Sequence, residues 1–223
     1  MTVDSLASMI DHTLLKPEAT PDQVKELCAE ARRHRFKTVC VNSRYVPLCR
    51  SALLGSGVEV CTVVGFPLGS SETMTKVHEA LRAIEAGAIE IDMVLWIGGL
   101  IAGEDQAVEE DIRAVADAVR SRDAVLKVIF ETCSLDKVQI RRACEISIKS
   151  GAHWVKTSTG FGSGGATVEV VRLMAGEVHL HGLKVKASGG IRTLADARNM
   201  IEAGAERLGT SSGVKIIEEL LQR

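Results

Sequence analysis

Short apolar, β-branched segments alternate along the chain with longer segments in which apolar residues recur at helical spacing. The short segments predict strands at Ile10–Leu15, Thr38–Asn42, Val58–Gly65, Ile89–Leu95, Val125–Glu131, Trp154–Thr157, Leu183–Ala187 and Arg207–Thr210. The amphipathic segments between them predict helices at Pro21–Arg35, Glu72–Glu85, Asp105–Arg120, Leu135–Lys149, Thr167–Glu177 and Leu194–Glu202. Such alternation is typical of βαβ units and a parallel sheet.

Local boundary signals and a weak repeat support this α/β assignment. Thr20 precedes Pro21 and is followed three residues later by Gln23, which is the pattern of a capped helix start. The peptide IEAGA occurs at residues 84–88 and again at 201–205, each time between a predicted helix and a predicted strand. Eight strands, no linker and no dinucleotide fingerprint after the first strand favour one closed (β/α)8 TIM barrel over residues 1–223.

Composition and charge exclude several classes of partner. The net charge of −2 argues against a nucleic acid or an anionic membrane as partner, and an aromatic content of 3% disfavours base stacking. No run approaches the roughly 18 apolar residues of a membrane span, and the N-terminus lacks the pattern of a signal peptide. The six cysteines form no CxxC pair, which is typical of reduced thiols. We therefore expect a cytoplasmic protein.

Three ionisable residues stand out inside or at the end of apolar strands: Asp92, Lys156 and Lys186. Active sites of such barrels form at the C-terminal ends of the strands, so these residues are candidates for catalysis. A charge in apolar surroundings either joins a network of partners or loses its charge through a shifted pKa. A structural ion pair, or a long side chain that reaches the rim, remains the alternative for each lysine.

Two lysines on neighbouring strands indicate an amine nucleophile. A free lysine has a pKa near 10.4, so only about one in a thousand is neutral at pH 7. Desolvation or a second ammonium nearby depresses this pKa and exposes the lone pair. Lys156 and Lys186 lie on the sixth and seventh predicted strands, which are neighbours in a closed barrel, so we expect their ammonium groups to approach each other. Asp92, on the fourth strand, is placed to accept and return protons.

The segments after the last two strands predict an anion site. Small residues at 188–192 and 209–213 offer backbone N–H groups where this barrel commonly binds phosphate, and the predicted contacts are Ser188, Gly189, Gly190, Gly209, Ser211 and Ser212. Lys127 and Glu131 share one face of the fifth strand and predict either a pair that supports the site or a structural salt bridge. His179 and His181 fall at the opposite end of the barrel, so no metal site is expected there.

Five segments together resemble the deoxyribose-phosphate aldolases, in order and over nearly the whole chain. They are IDHTLLKP at 10–17, EIDMV at 90–94, VKTSTGF at 155–161, VKASGGIR at 185–192 and GTSSG at 209–213. The resemblance implies reversible cleavage of 2-deoxy-D-ribose 5-phosphate to acetaldehyde and D-glyceraldehyde 3-phosphate. It also implies small phosphosugar and aldehyde partners, with a homodimer and a homotetramer both left open.

The resemblance further assigns roles to individual residues. Lys156 forms the Schiff base, Lys186 holds a positive charge beside it, and Asp92 relays protons through a water molecule. Asp11 matches a family aspartate in the supporting polar network, to which the position of Lys127 on the fifth strand adds a second candidate. Neither a metal nor an organic cofactor is needed, because the protonated imine is itself the electron sink.

The chain departs from the resemblance at two places. Trp96 stands where bacterial members often have asparagine, and we expect it to reshape a loop or a subunit contact. Some members end in a tyrosine that helps the proton relay, whereas Tyr45 is the only tyrosine here, so we expect slower turnover or a relay through water. Three other interpretations stay open: a different Schiff-base barrel such as a transaldolase, a barrel isomerase or synthase, and a non-catalytic phosphosugar-binding protein.

Overall fold

The computed structural model describes residues 1–222 and shows a closed barrel of eight parallel strands. Each strand pairs with the next in chain order, and the last returns to the first. The strands are β1 (Ile10–Leu14), β2 (Thr38–Val41), β3 (Glu59–Val64), β4 (Glu90–Val94), β5 (Val125–Ile129), β6 (Trp154–Lys156), β7 (Lys184–Ser188) and β8 (Arg207–Thr210). The predicted (β/α)8 barrel and all eight predicted strands are confirmed.

Every helix after the first lies in the connection that follows a strand, whereas the first precedes β1. The helices are α1 (Val3–Ala7), α2 (Pro21–His34), α3 (Val46–Ala52), α4 (Thr73–Glu85), α5 (Ile97–Ala102), α6 (Asp105–Arg120), α7 (Lys137–Lys149), α8 (Val168–Val178), α9 (Leu194–Glu202) and α10 (Gly213–Leu221). The capping box of Thr20 and Gln23 is present at the start of α2. The short helices α1, α3 and α5 and the final helix α10 were not predicted. No described helix is long and apolar enough to cross a membrane.

The hydrophobic core lies between the strands and the helices, and the barrel interior is charged. Successive residues of a strand point to opposite faces, so Ile91 and Met93 of β4 enter the core while Glu90 and Asp92 face inward. The strand register sets Asp92 beside Lys127 of β5. Other barrels of this type fill the interior with branched apolar side chains. The charged interior of this barrel is therefore a candidate active site.

Candidate active site

Asp92 is the centre of the charged interior. Its carboxylate is fully buried and is contacted by three lysines. Lys127 Nζ lies 2.7 Å from Oδ1, whereas Lys156 Nζ at 2.8 Å and Lys186 Nζ at 2.7 Å both lie against Oδ2. Lys156 and Lys186 are also register partners on β6 and β7. The expectation that these two ammonium groups approach each other is therefore confirmed, and they share one oxygen atom.

A second layer of charges lies beneath Asp92. Arg207 Nη1 lies 2.7 Å from Asp11 Oδ1 and 2.9 Å from Glu90 Oε2. Lys127 Nζ is 2.6 Å from Glu90 Oε2, and Lys186 forms an ion pair with Asp11. Asp11 and Lys127, predicted as supporting residues, therefore lie inside the same network of contacts as Asp92.

The numbers of positive and negative groups in this cluster are unequal. Among the described residues it holds four cations and three carboxylates, namely Lys127, Lys156, Lys186 and Arg207 against Asp11, Glu90 and Asp92. Lys127, Lys186 and Arg207 each contact two carboxylates. Lys156 contacts Asp92 alone. The amine with the fewest negative partners is therefore Lys156.

The surroundings keep most of the cluster ionised. Burial by itself would raise the pKa of Asp92, but Lys127, Lys156 and Lys186 hold it well below its usual range. The pKa of Asp11 is lowered in the same way, since Lys186 and Arg207 outweigh its burial. Burial would lower the pKa of Lys186, but the carboxylates of Asp11 and Asp92 raise it above its ordinary value. Lys186 therefore keeps its proton at neutral pH.

These shifts predict that the folded protein loses stability in acid. The carboxyl groups of Asp11 and Asp92 have a lower pKa when folded than the ordinary 3.8, so their stabilisation is complete above that value and is lost as the pH falls below it. We expect the melting temperature to fall between about pH 4 and pH 2, measured by circular dichroism, and to fall less in Asp92→Asn. A melting temperature that is constant over this range would contradict the ionised cluster.

A cavity of about 460 Å³ opens at the C-terminal ends of the strands, and Lys156 is part of its lining. The Lys156 side chain is 3% exposed, whereas those of Asp92 and Lys186 are fully buried. Asp92 and Lys186 are not among the lining residues, so they lie behind Lys156 as seen from the cavity. Lys16 and Arg192 add two further cations to the lining. A ligand in the cavity therefore meets one amine of the cluster first.

Five of the six residues predicted to bind phosphate line this cavity: Ser188, Gly189, Gly190, Gly209 and Ser211. The sixth, Ser212, does not, and its backbone N–H donates to Thr210 Oγ1 at 2.9 Å. Gly189 must lack a side chain, because a Cβ there would approach Gly165 Cα to 2.9 Å at a positive φ of 84°. Phosphate binding by these loops stays a prediction.

The expected pairing of Lys127 with Glu131 is wrong. β5 ends at Ile129, and Glu131 takes a left-handed backbone with φ 55°, so the two-residue period does not extend to it. Lys127 contacts Asp92 and Glu90, whereas the Glu131 carboxylate accepts from Thr159.

Glu90 and Arg207 were missed by the sequence analysis although a signal existed. Glu90 lies two residues before Asp92 and therefore on the same strand face, and Arg207 opens β8. Neither Trp96 nor Tyr45 belongs to the charged interior. Trp96 precedes α5 and is 39% exposed, and the Tyr45 hydroxyl donates to the Ala19 carbonyl at 2.5 Å.

Two groups of buried side chains have the spacing of metal ligands. The groups are Cys40, Cys61 and Asp92, and Asp11, Cys61 and Glu90, each with its ligand atoms within 4.8 Å of one another. Their carboxylates already bind ammonium or guanidinium groups, and Lys127 Nζ lies 3.4 Å from Cys61 Sγ. A divalent cation placed here would be repelled by four cations, so the arrangement suits lysine chemistry better than metal binding.

Comparison with known proteins agrees with this site. The sequence profile of the DeoC/LacD family aldolases matches residues 5–219. A deoxyribose-phosphate aldolase of Thermotoga maritima is 57% identical over 216 residues, which cover 97% of this chain and 86% of that protein. One from Carboxydothermus hydrogenoformans is 53% identical over 218 residues, covering 97% and 95%.

Solved structures show the same relationship. The tetrameric deoxyribose phosphate aldolase of Aeropyrum pernix is 36% identical and superposes with a TM-score of 0.92, covering 99% of this chain and 92% of that one. Sequence profile, close relatives and fold therefore agree. The chain belongs to the DeoC/LacD family of aldolases and is an enzyme of that family.

Proposed function

We propose that this enzyme reversibly cleaves 2-deoxy-D-ribose 5-phosphate to acetaldehyde and D-glyceraldehyde 3-phosphate through a Schiff base on Lys156. The observation that carries the proposal is the position of Lys156. It lines the cavity, and it is the one cation of the described cluster with a single carboxylate partner. The names of the Thermotoga and Carboxydothermus relatives support the choice of substrate.

The charge balance of the cluster sets Lys156 apart from the other cations. Four cations surround three carboxylates, so one positive charge is left without compensation in a buried site. Lys186 keeps its proton through two carboxylates, Asp11 and Asp92, whereas Lys156 shares a single oxygen with it. Lys156 is therefore the least constrained amine of the cluster, and its nitrogen is the proposed nucleophile toward a carbonyl.

The proposed steps follow from that amine. Lys156 Nζ attacks the aldehyde carbon C1 of the open-chain sugar, and water leaves to give a protonated imine. Asp92, through a bridging water, accepts the proton of the C3 hydroxyl, and the C2–C3 bond breaks with its electron pair moving toward the imine nitrogen. Glyceraldehyde 3-phosphate departs. The remaining enamine takes up a proton at C2, and hydrolysis releases acetaldehyde and the free amine.

Trapping with borohydride tests this proposal. With acetaldehyde present, reduction should leave an ethyl group on Lys156, located by mass spectrometry of the modified peptide. A transaldolase-like enzyme would form an imine but use a different donor, which product analysis would show. A barrel isomerase or synthase would give no adduct, and a phosphosugar-binding protein would bind the substrate without turnover. An unmodified Lys156 would reject the Schiff base.

Removal of the phosphate from the acceptor is expected to raise KM far more than it changes kcat. Backbone N–H groups around Gly189 and Gly190, with Lys16 and Arg192 in the same cavity lining, would lose their anionic partner. Several charge-assisted hydrogen bonds correspond to a rise of about a hundredfold in KM. The measurement compares glyceraldehyde with its 3-phosphate in the synthetic direction. The KM for acetaldehyde, which carries no phosphate, is the internal control, and equal acceptor KM values would reject the anion site.

The proposed partners are small phosphosugars and aldehydes, and the proposed site of the reaction is the cytoplasm, where phosphorylated sugars are retained. The Aeropyrum relative is described as a tetramer, which makes a homotetramer a specific alternative to a homodimer. Light scattering coupled to size-exclusion chromatography distinguishes the two.

A further inference from the structure

A buried carboxylate outside the ion cluster contacts the wall of the cavity. Glu131 follows β5 and is 6% exposed. Its Oε2 accepts a hydrogen bond from the Thr159 hydroxyl, and its Oε1 accepts one from the Thr159 backbone N–H at 3.4 Å. Its other side-chain partner is Cys133, at 3.7 Å. The carboxylate therefore binds the segment that follows Lys156 and not the cations of the interior.

The contact with Thr159 extends to a three-residue wall. The Thr159 hydroxyl accepts from the Phe161 backbone N–H at 3.0 Å, so one carboxylate orients both ends of the Thr159–Phe161 segment. Thr159, Gly160 and Phe161 all line the 460 Å³ cavity together with Lys156. Phe161 packs edge-on against Phe66 with ring centroids 5.3 Å apart. This segment is therefore one side of the space that a substrate attached to Lys156 must fill.

The backbone conformation at Glu131 would suit glycine better than glutamate, so the contribution of this residue lies in its side chain. Its φ of 55° and ψ of 61° lie in the left-handed region, which glycine adopts without strain and other residues rarely adopt. The neighbouring loop is seated tightly against it, since a Cβ at Gly162 would lie 3.0 Å from Glu131 Cδ and 2.8 Å from Cys133 Sγ.

We propose that Glu131 is a positioning residue that holds Thr159–Phe161 as a wall of the substrate cavity and so determines affinity for the phosphosugar. The inference rests on the proposed function. Acetaldehyde is small and needs only the amine, whereas a phosphorylated acceptor must also fit the space beside this wall. Loss of the carboxylate should therefore weaken binding of the phosphosugar while leaving imine formation with acetaldehyde unchanged.

Two variants distinguish the contribution of the Glu131 carboxylate from that of its left-handed backbone. Glu131→Gln keeps the size of the side chain and removes its charge, and Glu131→Gly removes the side chain while fitting the left-handed backbone. Both are expected to raise KM for deoxyribose 5-phosphate about tenfold, the loss expected for a hydrogen bond to a charged group, with kcat little changed. Thermal unfolding of the Glu131→Gly variant checks that the barrel still folds. Glu145→Gln, at an exposed position of α7, is the matched control and should leave KM unchanged.

Cys133 supplies a readout of the wall itself. It is exposed, and the other five cysteines are buried. When the carboxylate no longer holds the loop, Cys133 should react faster with an aromatic disulfide reagent in Glu131→Gln than in the wild type or in Glu145→Gln.

The contrary results are distinct from a failure of the proposed function. A wild-type KM in both Glu131 variants would overturn the inference, as would a loss of the acetaldehyde adduct in either variant, since that would place Glu131 in the chemistry. If Glu131→Gln fails to fold, Glu131→Gly alone decides. Absence of the adduct in the wild-type enzyme would instead reject the Schiff base on Lys156, whatever the Glu131 variants show.

Discussion

Lys156→Ala is expected to abolish the borohydride-trapped adduct with acetaldehyde and to lower kcat by about four orders of magnitude or more. The reason is chemical, because no other amine of the ion cluster lines the cavity among the described residues. Activity would be followed by release of glyceraldehyde 3-phosphate, and the adduct by peptide mapping. The affinity for inorganic phosphate should stay the same, because the loops near Gly189 and Gly190 are untouched.

Two controls distinguish loss of the reactive amine from loss of cavity charge or of the fold. Lys16 also lines the cavity and is the matched control for charge, since Lys16→Ala should keep the adduct while Lys156→Ala loses it. Thermal unfolding of Lys156→Ala would show that the barrel persists. An adduct that survives in Lys156→Ala would assign the Schiff base to another lysine and contradict the central proposal.

Lys186→Leu is expected to reduce adduct formation sharply at neutral pH, by about tenfold or more, with recovery as the pH is raised. Lys186 and Lys156 compete for Asp92 Oδ2. Without the second cation, Lys156 has that oxygen to itself and its ammonium form is favoured, so fewer neutral amines are available. Half-maximal adduct formation should therefore move to higher pH, measured as trapping yield against pH.

Lys127→Leu is the matched comparison for Lys186→Leu. Each change removes one positive charge from Asp92, but Lys127 contacts Oδ1 and not the oxygen that Lys156 uses. We therefore expect a smaller shift from Lys127→Leu. Both variants leave buried carboxylates short of a partner, at a cost of about 3–5 kcal/mol, so their folding must be checked by thermal unfolding. Trapping at the wild-type level by Lys186→Leu at pH 7 would reject the role assigned to Lys186.

The strands and helix starts could be predicted from the sequence because each depends on a few consecutive residues. The eight strands follow from short β-branched segments, and the start of α2 follows from the spacing of Thr20, Pro21 and Gln23. The short helices α1, α3 and α5 were not predicted, since fewer than two turns carry little periodic signal. Charges within apolar strands marked Asp92, Lys156 and Lys186 as unusual without any knowledge of their neighbours.

Which oxygen each lysine contacts could not be read from the chain. Lys127, Lys156 and Lys186 meet at Asp92 from three strands, and Asp11 and Arg207 are joined across 196 positions of sequence. Such contacts depend on the closure and stagger of the barrel, which no local pattern encodes. The surplus of one positive charge is likewise a property of the assembled interior.

By itself, then, the amino-acid sequence determined the class of fold and the strands that carry Asp92, Lys156 and Lys186. Periodicity and the rarity of charge in an apolar strand are local properties, so they can be recognised in the amino-acid sequence alone. The tertiary structure decided that Lys156 faces the cavity while Lys186 lies behind it. It also decided that the Ser212 N–H donates to Thr210 and that the Glu131 carboxylate binds Thr159 and not Lys127. Those outcomes depend on side-chain direction after the chain has closed, because a single left-handed residue beyond β5 redirects a carboxylate from the interior to the cavity wall.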